Sequence, residues 1–465
     1  MKAVFGIVGL GVMGKSLSRN MASKGFRLAL FNRYVQDKEE AVAENFIREF
    51  PELEDALGFE DLASFAQSLE RPRKILLMVQ AGSATDQTID ALRPYLEAGD
   101  ILIDGGNAFF KDTESRISDL KEAGIHFMGT GVSGGEAGAL NGPSIMPGGD
   151  AAAYEKISPF LEQIAAKDIN GKPCCTYIGS GGSGHFVKMV HNGIEYAEMQ
   201  LIAELYALLR WGTQLNPDEI ADIFEPWLSG PANSYLLEIT VSILRKTEGE
   251  TFLIDLILDQ AANKGTGSWT SIVASDLGVA IPTITAALFA RFQSAFKAER
   301  VQYASQFPMH PEMLEVDVKE LLDAYQLARF LNHQQGFVLM QQAAIQFEWQ
   351  LNLSELARIW TNGCIIRSQM MRDISHVFSE SQLLLAHPLA WHTLDAGKEA
   401  LLALVGKGLA AQIPLPCFSA SANYMLMAFQ EDSSANLIQA QRDFFGAHTY
   451  QRVDDPSGKK YHTNW

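Results

Sequence analysis

The sequence predicts an α/β domain over residues 1–180, a larger all-α domain over 181–438 and a C-terminal tail over 439–465. Three observations predict this. The first third alternates short apolar runs with helical patterns, as a parallel sheet with crossover helices does. After the run Gly179-Ser180-Gly181-Gly182-Ser183-Gly184 the spacing becomes almost wholly helical, from Phe186 to about Ile438. The chain has 465 residues, more than one ordinary core accommodates.

The clearest strands are Val4–Val8, Leu28–Asn32, Ile75–Val79 and Ile101–Asp104, each followed by glycine or polar turn residues. Ile125–Gly129 and Thr176–Ile178 read as later strands, with a helix over Ala151–Ala166 between them. Met189–Leu209 is the first long helix of the second domain, and Asp454–Lys460 is polar, without a helical stripe. No uncharged apolar run reaches membrane-spanning length. The apolar stretch Ala3–Gly14 resembles a secretion leader, but its three ordered glycines explain it better.

Lys and Arg number 37 against 55 Asp and Glu, a net charge of -18, with mean hydropathy -0.01. This describes a soluble globular protein and argues against broad nucleic-acid binding, which needs basic surface. An anionic ligand would require a local cluster of Lys and Arg. Cys174, Cys175, Cys364 and Cys417 show no CxxC spacing, and no Cys/His metal cluster stands out. A reduced, cytoplasmic setting without a bound metal fits best.

One internal repeat stands out. Gln214-Leu215-Asn216-Pro217-Asp218-Glu219 and the residues to Phe224 parallel Gln350-Leu351-Asn352-Leu353-Ser354-Glu355 and those to Trp360. In both copies Asn can cap a helix and Glu three places on can complete a capping box. The offset, Gln214 to Gln350, is too long for a solenoid and implies two related halves of one helical domain.

Gly9-Leu10-Gly11-Val12-Met13-Gly14 fits GxGxxG between a strand and a helix. Glycines there permit a tight turn and let helix N–H groups hold a pyrophosphate. The second strand ends in Asn32-Arg33-Tyr34, where an acidic residue would bind a ribose 2′-hydroxyl. Asn32 removes that charge, Arg33 supplies a cation for a 2′-phosphate, and Lys38 could add another. NADP is therefore expected over NAD, although an ordinary solvated Arg33 is the alternative.

Lys188, His191, Asn192, Glu195 and Tyr196 fall at i, i+3, i+4, i+7 and i+8, on one helical face. The bland reading is a solvated face with a Lys–Glu pair. The repeat offset places Ala324, Leu327, Ala328, Leu331 and Asn332 opposite the five, four of them apolar. The second half thus buries a face that the first fills with reactive groups, which favours a functional stripe. A desolvated Lys can serve as a base and a carboxyl in an apolar cleft as an acid.

With these pieces the chain resembles the 6-phosphogluconate dehydrogenases along essentially its whole length. The carrying segments are Gly9–Gly14, Asn32-Arg33, Asp104–Asn107, Gly131–Glu136, His185–Tyr196, Asn263–Gly267, Phe289–Arg291 and Gln441–Tyr450. The resemblance implies a Rossmann domain, a duplicated helical domain, and a tail that exchanges between the subunits of a homodimer. It implies NADP-dependent oxidation of 6-phosphogluconate at C3 and decarboxylation to ribulose 5-phosphate, a step of the pentose phosphate pathway and gluconate utilization.

By the same resemblance Lys188 would be general base and then acid, and Glu195 the acid that protonates the enediol. The cofactor would lie against Gly9, Leu10, Gly11, Val12, Met13, Gly14, Asn32, Arg33, Tyr34, Val79, Gln80, Ala81 and Asn107. Asn107, Ser133, Gly134, Gly135, His191 and Asn192 would hold the sugar acid. Tyr196, Lys264, Arg291 and, from the other subunit, Arg442 and His448 would hold its phosphate.

Three positions depart from the family pattern. Tyr34 replaces a small hydroxyl residue near the 2′-phosphate, Gln80 stands where Lys is frequent, and Phe110-Lys111 replaces a Tyr-Arg-like pair. The first two bear on cofactor choice; the third is expected to be structural. Two rivals are a different β-hydroxyacid dehydrogenase and a non-catalytic NADP-binding scaffold. The former needs no second helical half, and the latter no Lys188–Glu195 stripe.

Overall fold

The computed structural model describes residues 1–262 and 265–465. Its first domain is a seven-stranded sheet of β1 (Phe5–Val8), β2 (Leu28–Phe31), β3 (Leu57–Phe59), β4 (Lys74–Leu77), β5 (Ile101–Asp104), β6 (His126–Ser133) and β7 (Ser144–Gly149). The spatial order is β3-β2-β1-β4-β5-β6-β7. All pairs are parallel except β6–β7, which is antiparallel with Ser133 opposite Ser144. Order reverses beside β1, so the carboxyl ends of β1 and β4 flank a crevice suited to a dinucleotide. β1 and β2 are buried throughout, hence their continuous apolar runs.

The helices that position the site begin with α1 (Val12–Ser23), α2 (Ser83–Leu92), α3 (Phe110–Lys121), α4 (Gly135–Asn141) and α5 (Ala151–Ile164). The helical domain contributes α6 (Ser183–Ala207), α7 (Pro217–Phe224), α8 (Thr266–Asp276), α9 (Pro282–Ser294), α10 (Val318–Gln346), α11 (Leu353–Ile359) and α12 (Pro416–Ala428). The C-terminal segment opens with α13 (Ala435–Gly446). Among the described residues no helix is long and apolar enough to cross a membrane.

Two expectations need correction. Thr176–Ile178 is not a strand: isolated parallel bridges on either side of it, Ile145 with Cys175 and Gly148 with Gly179, and single hydrogen bonds from Tyr177 Oη to the Gly149 carbonyl at 2.7 Å and from Ile178 N to the Pro147 carbonyl at 2.8 Å tie it to β7. Strand β7 is itself glycine-rich and runs antiparallel to β6, and the chain turns at Gly179 into the helical domain. The second capping box is half formed. Asn216 and Glu219 close theirs reciprocally, whereas Asn352 accepts from Glu355 N but the Glu355 carboxylate binds Lys172 and Arg358 instead. Strands β3 and β7 were not foreseen, being short and rich in Gly respectively.

The duplication is visible in the elements. The repeat offset carries Ser183, first residue of α6, to Lys319, second residue of α10. Each long helix precedes a short Asn-capped one, α7 or α11. The halves face each other: Asn332 Nδ2 donates to the Ile194 carbonyl at 2.9 Å, and Thr283 Oγ1 lies 3.0 Å from Ser421 Oγ. Ala324, Leu327, Ala328, Leu331 and Asn332 are all fully buried.

Candidate active site

Strand β6 delivers Ser133 to the domain junction, and the first turns of α6 lie directly on it. That approach depends on missing side chains. A Cβ on Gly131 would meet the Lys188 Cβ at 2.4 Å, and one on Gly184 would meet the Gly129 carbonyl oxygen at 2.3 Å. Backbone therefore rests on backbone, and Lys188 is driven into the end of the sheet.

Lys188 Nζ donates to Asn192 Oδ1 at 2.7 Å and lies 3.3 Å from His191 Nδ1. His191 Nε2 lies 3.2 Å from Ser133 Oγ, and its Nδ1 3.7 Å from Glu195 Oε2. Lys188, His191 and Asn192 are buried, while the Glu195 side chain keeps 20% exposure. The stripe is thus not a solvated face. Burial pushes the Lys188 amine below its usual range, against the Glu195 charge, which holds it up. Burial, then the Lys188 charge, pushes His191 well below the usual imidazole range. A buried amine so biased can take a proton from a hydroxyl.

Further along α6, the Arg291 guanidinium stacks 3.6 Å from the centroid of the Tyr196 ring. A Cβ on Gly267 would reach Tyr196 Cε2 at 2.7 Å, so the start of α8 abuts the same ring. Tyr196 and Arg291 are therefore together, whereas Lys264 lies outside the described residues. Gly134 and Gly135, with φ of +114° and +61°, turn the chain from Ser133 into α4. Asn107 is exposed on the loop after β5.

Arg442 and His448 sit on the C-terminal segment. Arg442 donates to Gln439 Oε1 at 3.1 Å, and the His448 ring packs on Phe445 at 5.9 Å. Nothing in the chain's own described contacts brings these two to Lys188.

The nucleotide side is a cavity of about 390 Å³ bounded by Gly9, Leu10, Gly11, Asn32, Arg33 and Gln80, among others including Val79. A Cβ on Gly14 would overlap the Gly9 carbonyl oxygen at 2.0 Å, while Gly11 faces open space. Asn32 Oδ1 accepts from Leu10 N at 3.2 Å and ties the second strand to the glycine loop. Val12 and Tyr34 are exposed, Met13 is half-buried, and Ala81 follows Gln80 at the rim. A cavity at the N-terminus of α1, where helix N–H groups face an anion, fits a dinucleotide. Arg33 is already paired, its Nη2 3.3 Å from Glu39 Oε1. Among the described residues no group of three or more His, Cys, Asp or Glu is placed to hold a metal ion.

The sequence reading missed the segment after α11. Trp360 packs edge-on to the His191 ring at 5.5 Å, and the Gly363 carbonyl blocks any Cβ on Gly134 at 2.7 Å. Its one signal was the turn-like Asn362-Gly363, which carries no chemistry by itself.

Two family models divide the chain. The NAD binding domain of 6-phosphogluconate dehydrogenase matches residues 4–179, and the 6-phosphogluconate dehydrogenase C-terminal domain matches 184–465. The decarboxylating 6-phosphogluconate dehydrogenase of Salmonella typhimurium is 46% identical over 474 residues, covering 100% of this chain and 99% of that protein. The NADP(+)-dependent, decarboxylating enzyme of Bacillus subtilis is 46% identical over 475 residues, with the same coverage. The Plasmodium falciparum 6-phosphogluconate dehydrogenase structure superposes with a TM-score of 0.93 at 38% identity, over 99% of this chain and 100% of that one.

The chain belongs to the 6-phosphogluconate dehydrogenase family. Membership of the 6-phosphogluconate dehydrogenases spans both helical halves, so a smaller hydroxyacid dehydrogenase and a bare cofactor-binding scaffold both fall away as readings. Of the departures, Phe110 is buried against Phe186, Phe347 and Trp349, while Lys111 approaches Asp276 at the surface.

Proposed function

We infer that this chain catalyses the NADP-dependent oxidative decarboxylation of 6-phosphogluconate to ribulose 5-phosphate and CO2. The observation that carries the reading is the buried Lys188 amine, held by Asn192 beside His191 and Glu195 where the two domains meet. Gly9–Gly14 with Asn32, Arg33, Tyr34, Val79, Gln80, Ala81 and Asn107 would hold NADP. The cofactor supplies the hydride acceptor.

Lys188 takes the proton of the C3 hydroxyl as the C3 hydride leaves, giving a 3-keto acid. The ketone accepts the electrons of the breaking C1–C2 bond, CO2 departs, and Lys188 Nζ returns the proton to the C3 oxygen. Glu195 then protonates the enediol carbon that becomes C1 of the product. As that carbon is protonated, Lys188 takes the proton from the former C3 oxygen, which becomes the ketone of the product, so the tautomerisation balances. Ser133, Gly134, Gly135, His191, Asn192 and Asn107 would orient the sugar acid. Tyr196, Lys264 and Arg291 would hold the phosphate, a local cation site in a chain of net charge -18.

The same reading completes the phosphate site with Arg442 and His448 of a second copy. What supports it is the segment 433–465, whose hydrogen bonds among the described residues stay within it, Gln439 to Thr449 and Asp443 to Thr463 included. Asp443 is the sole buried residue of α13, while Leu437, Ile438, Phe444 and Phe445 are exposed. A helix with apolar groups outward and no core of its own needs a partner surface. The division 1–180, 181–438 and 439–465, a homodimer with exchanged tails, and cytoplasmic residence without membrane or nucleic-acid partners belong to this reading.

The test is direct: purified chain, NADP and 6-phosphogluconate should yield NADPH and CO2. A folded dimer that gives neither would refute the reading.

A further inference from the structure

His185 is buried one turn before Lys188 on α6 and stands outside the roles assigned so far. Its Nε2 lies 3.1 Å from the Asp104 carbonyl oxygen and its Nδ1 2.7 Å from Thr113 Oγ1. A carbonyl only accepts, so Nε2 carries the proton and donates to it. Nδ1 then accepts from the Thr113 hydroxyl, and the tautomer follows from the partners. Burial also disfavours the imidazolium. Gly129 makes the room: a Cβ there would meet Thr113 Cγ2 at 2.6 Å and His185 Nδ1 at 2.8 Å.

Asp104 is the hub on the other side. It ends β5, and its Oδ1 accepts from Gly106 N at 2.9 Å, which shapes the loop carrying Asn107. Its Oδ2 lies 3.4 Å from Arg116 Nη1. The same guanidinium donates from Nη2 to the Gly82 carbonyl at 3.2 Å and from Nε to Asp86 Oδ1 at 2.7 Å. One buried network therefore joins the loops after β4 and β5 to the helix that bears Lys188. Asp104, Thr113, Arg116 and His185 are all at most 5% exposed.

We propose that His185 is a positioning residue for hydride transfer, fixing Lys188 against the Asn107 loop through Asp104 and Thr113. It touches neither substrate nor cofactor. Its effect is on distance: a base displaced by about 1 Å can lose two orders of magnitude in rate. The proposal rests on Lys188 being the base, as inferred above.

The experiment compares wild type, Thr113→Val, His185→Phe and His185→Gln, with Lys188→Met as control. Readouts are kcat, KM for 6-phosphogluconate, NADP affinity by titration, and the isotope effect with substrate deuterated at C3. His185→Phe should lower kcat roughly 10- to 100-fold and raise the isotope effect, with KM and NADP affinity within about threefold. Thr113→Val should show the same pattern more weakly. His185→Gln, whose amide can donate to Asp104 and accept from Thr113, should recover part of the loss.

If His185→Phe does not fold, Thr113→Val and His185→Gln decide alone. Unchanged kcat in Thr113→Val, or a loss of kcat, KM and NADP affinity together, overturns the proposal. An active Lys188→Met enzyme would overturn the underlying reading instead, which separates the two failures.

Discussion

A Cβ added to Gly131 would lie 2.4 Å from the Cβ of Lys188 and 3.0 Å from its Cγ. Those atoms are near the helix backbone and cannot swing aside. Gly131→Ala should therefore push α6 off β6 at a cost of about 1–3 kcal/mol. Since Lys188 moves with the helix, kcat should fall roughly 10- to 100-fold. Denaturant midpoints and steady-state kinetics together check this; wild-type turnover in Gly131→Ala would show that Lys188 tolerates displacement.

Lys188→Met should abolish hydride transfer and stabilise the fold. Burial lowers the folded-state pKa of Lys188 below its unfolded value. The unfolded chain then binds the extra proton more readily, so the penalty for folding is full below the folded pKa. It fades as pH rises toward the unfolded value near 10.5. Methionine fills similar volume without a charge, and Tm at pH 7 should rise by about 2 °C or more. The gain should shrink at pH 10. A variant less stable than wild type at pH 7 would contradict the sign.

The Glu195 charge raises the Lys188 pKa against burial. Glu195→Gln removes that opposition, so the acidic limb of kcat/KM, where Lys188 must lose its proton, should move to lower pH. Overall kcat should fall because the enediol loses its acid. A limb that moves upward would reverse the assigned coupling.

How much of this was legible depended on whether a residue's role was local. Gly9–Gly14 and the stripe from Lys188 to Tyr196 are written in spacing, since helix and turn geometry follow from neighbouring residues. Strand β7 was not: Ser144–Gly149 carries Pro147 and two glycines and becomes a strand through its partner β6. Trp360 and Gly363 reach the site from more than 160 positions beyond His191 and Gly134 respectively only because the second helical half packs on the first half and on the sheet domain. His185 lay within a recognised segment, but its partners Asp104 and Thr113 come from the other domain.

Glu39 tempers the cofactor site. Its carboxylate accepts from Asn32 Nδ2 at 3.0 Å and pairs with Arg33 at 3.3 Å, and these bonds hold it below the usual carboxylate range. A 2′-phosphate must draw Arg33 from this pair. Glu39→Gln should tighten NADP about 2- to 5-fold, the scale of an exposed ion pair, and leave NAD within twofold. Titration of both nucleotides measures it. Equal tightening of NAD would place the effect elsewhere than at the 2′-phosphate.

Asp443 gathers the C-terminal segment: it accepts from Thr449 N at 3.0 Å, Thr463 N at 3.0 Å, Trp465 Nε1 at 2.9 Å and pairs with His462 at 2.9 Å. This holds Arg442 and His448 on one compact unit without tying either to the chain's own site. Truncation before Arg442 should raise KM for 6-phosphogluconate by roughly 100-fold, the scale of losing charge-assisted bonds to a phosphate. NADP affinity should change less than about threefold, because Gly9–Gly14 and Arg33 lie in the first domain. Arg442→Ala in the full chain should give a smaller loss of the same kind. Mixing Arg442→Ala with Lys188→Met chains tests the exchange. Mixed dimers should contain one site with intact Lys188 and an intact partner tail, and recover activity that neither parent shows at low substrate. No recovery, with mixed dimers verified by mass, would mean that each tail serves its own chain.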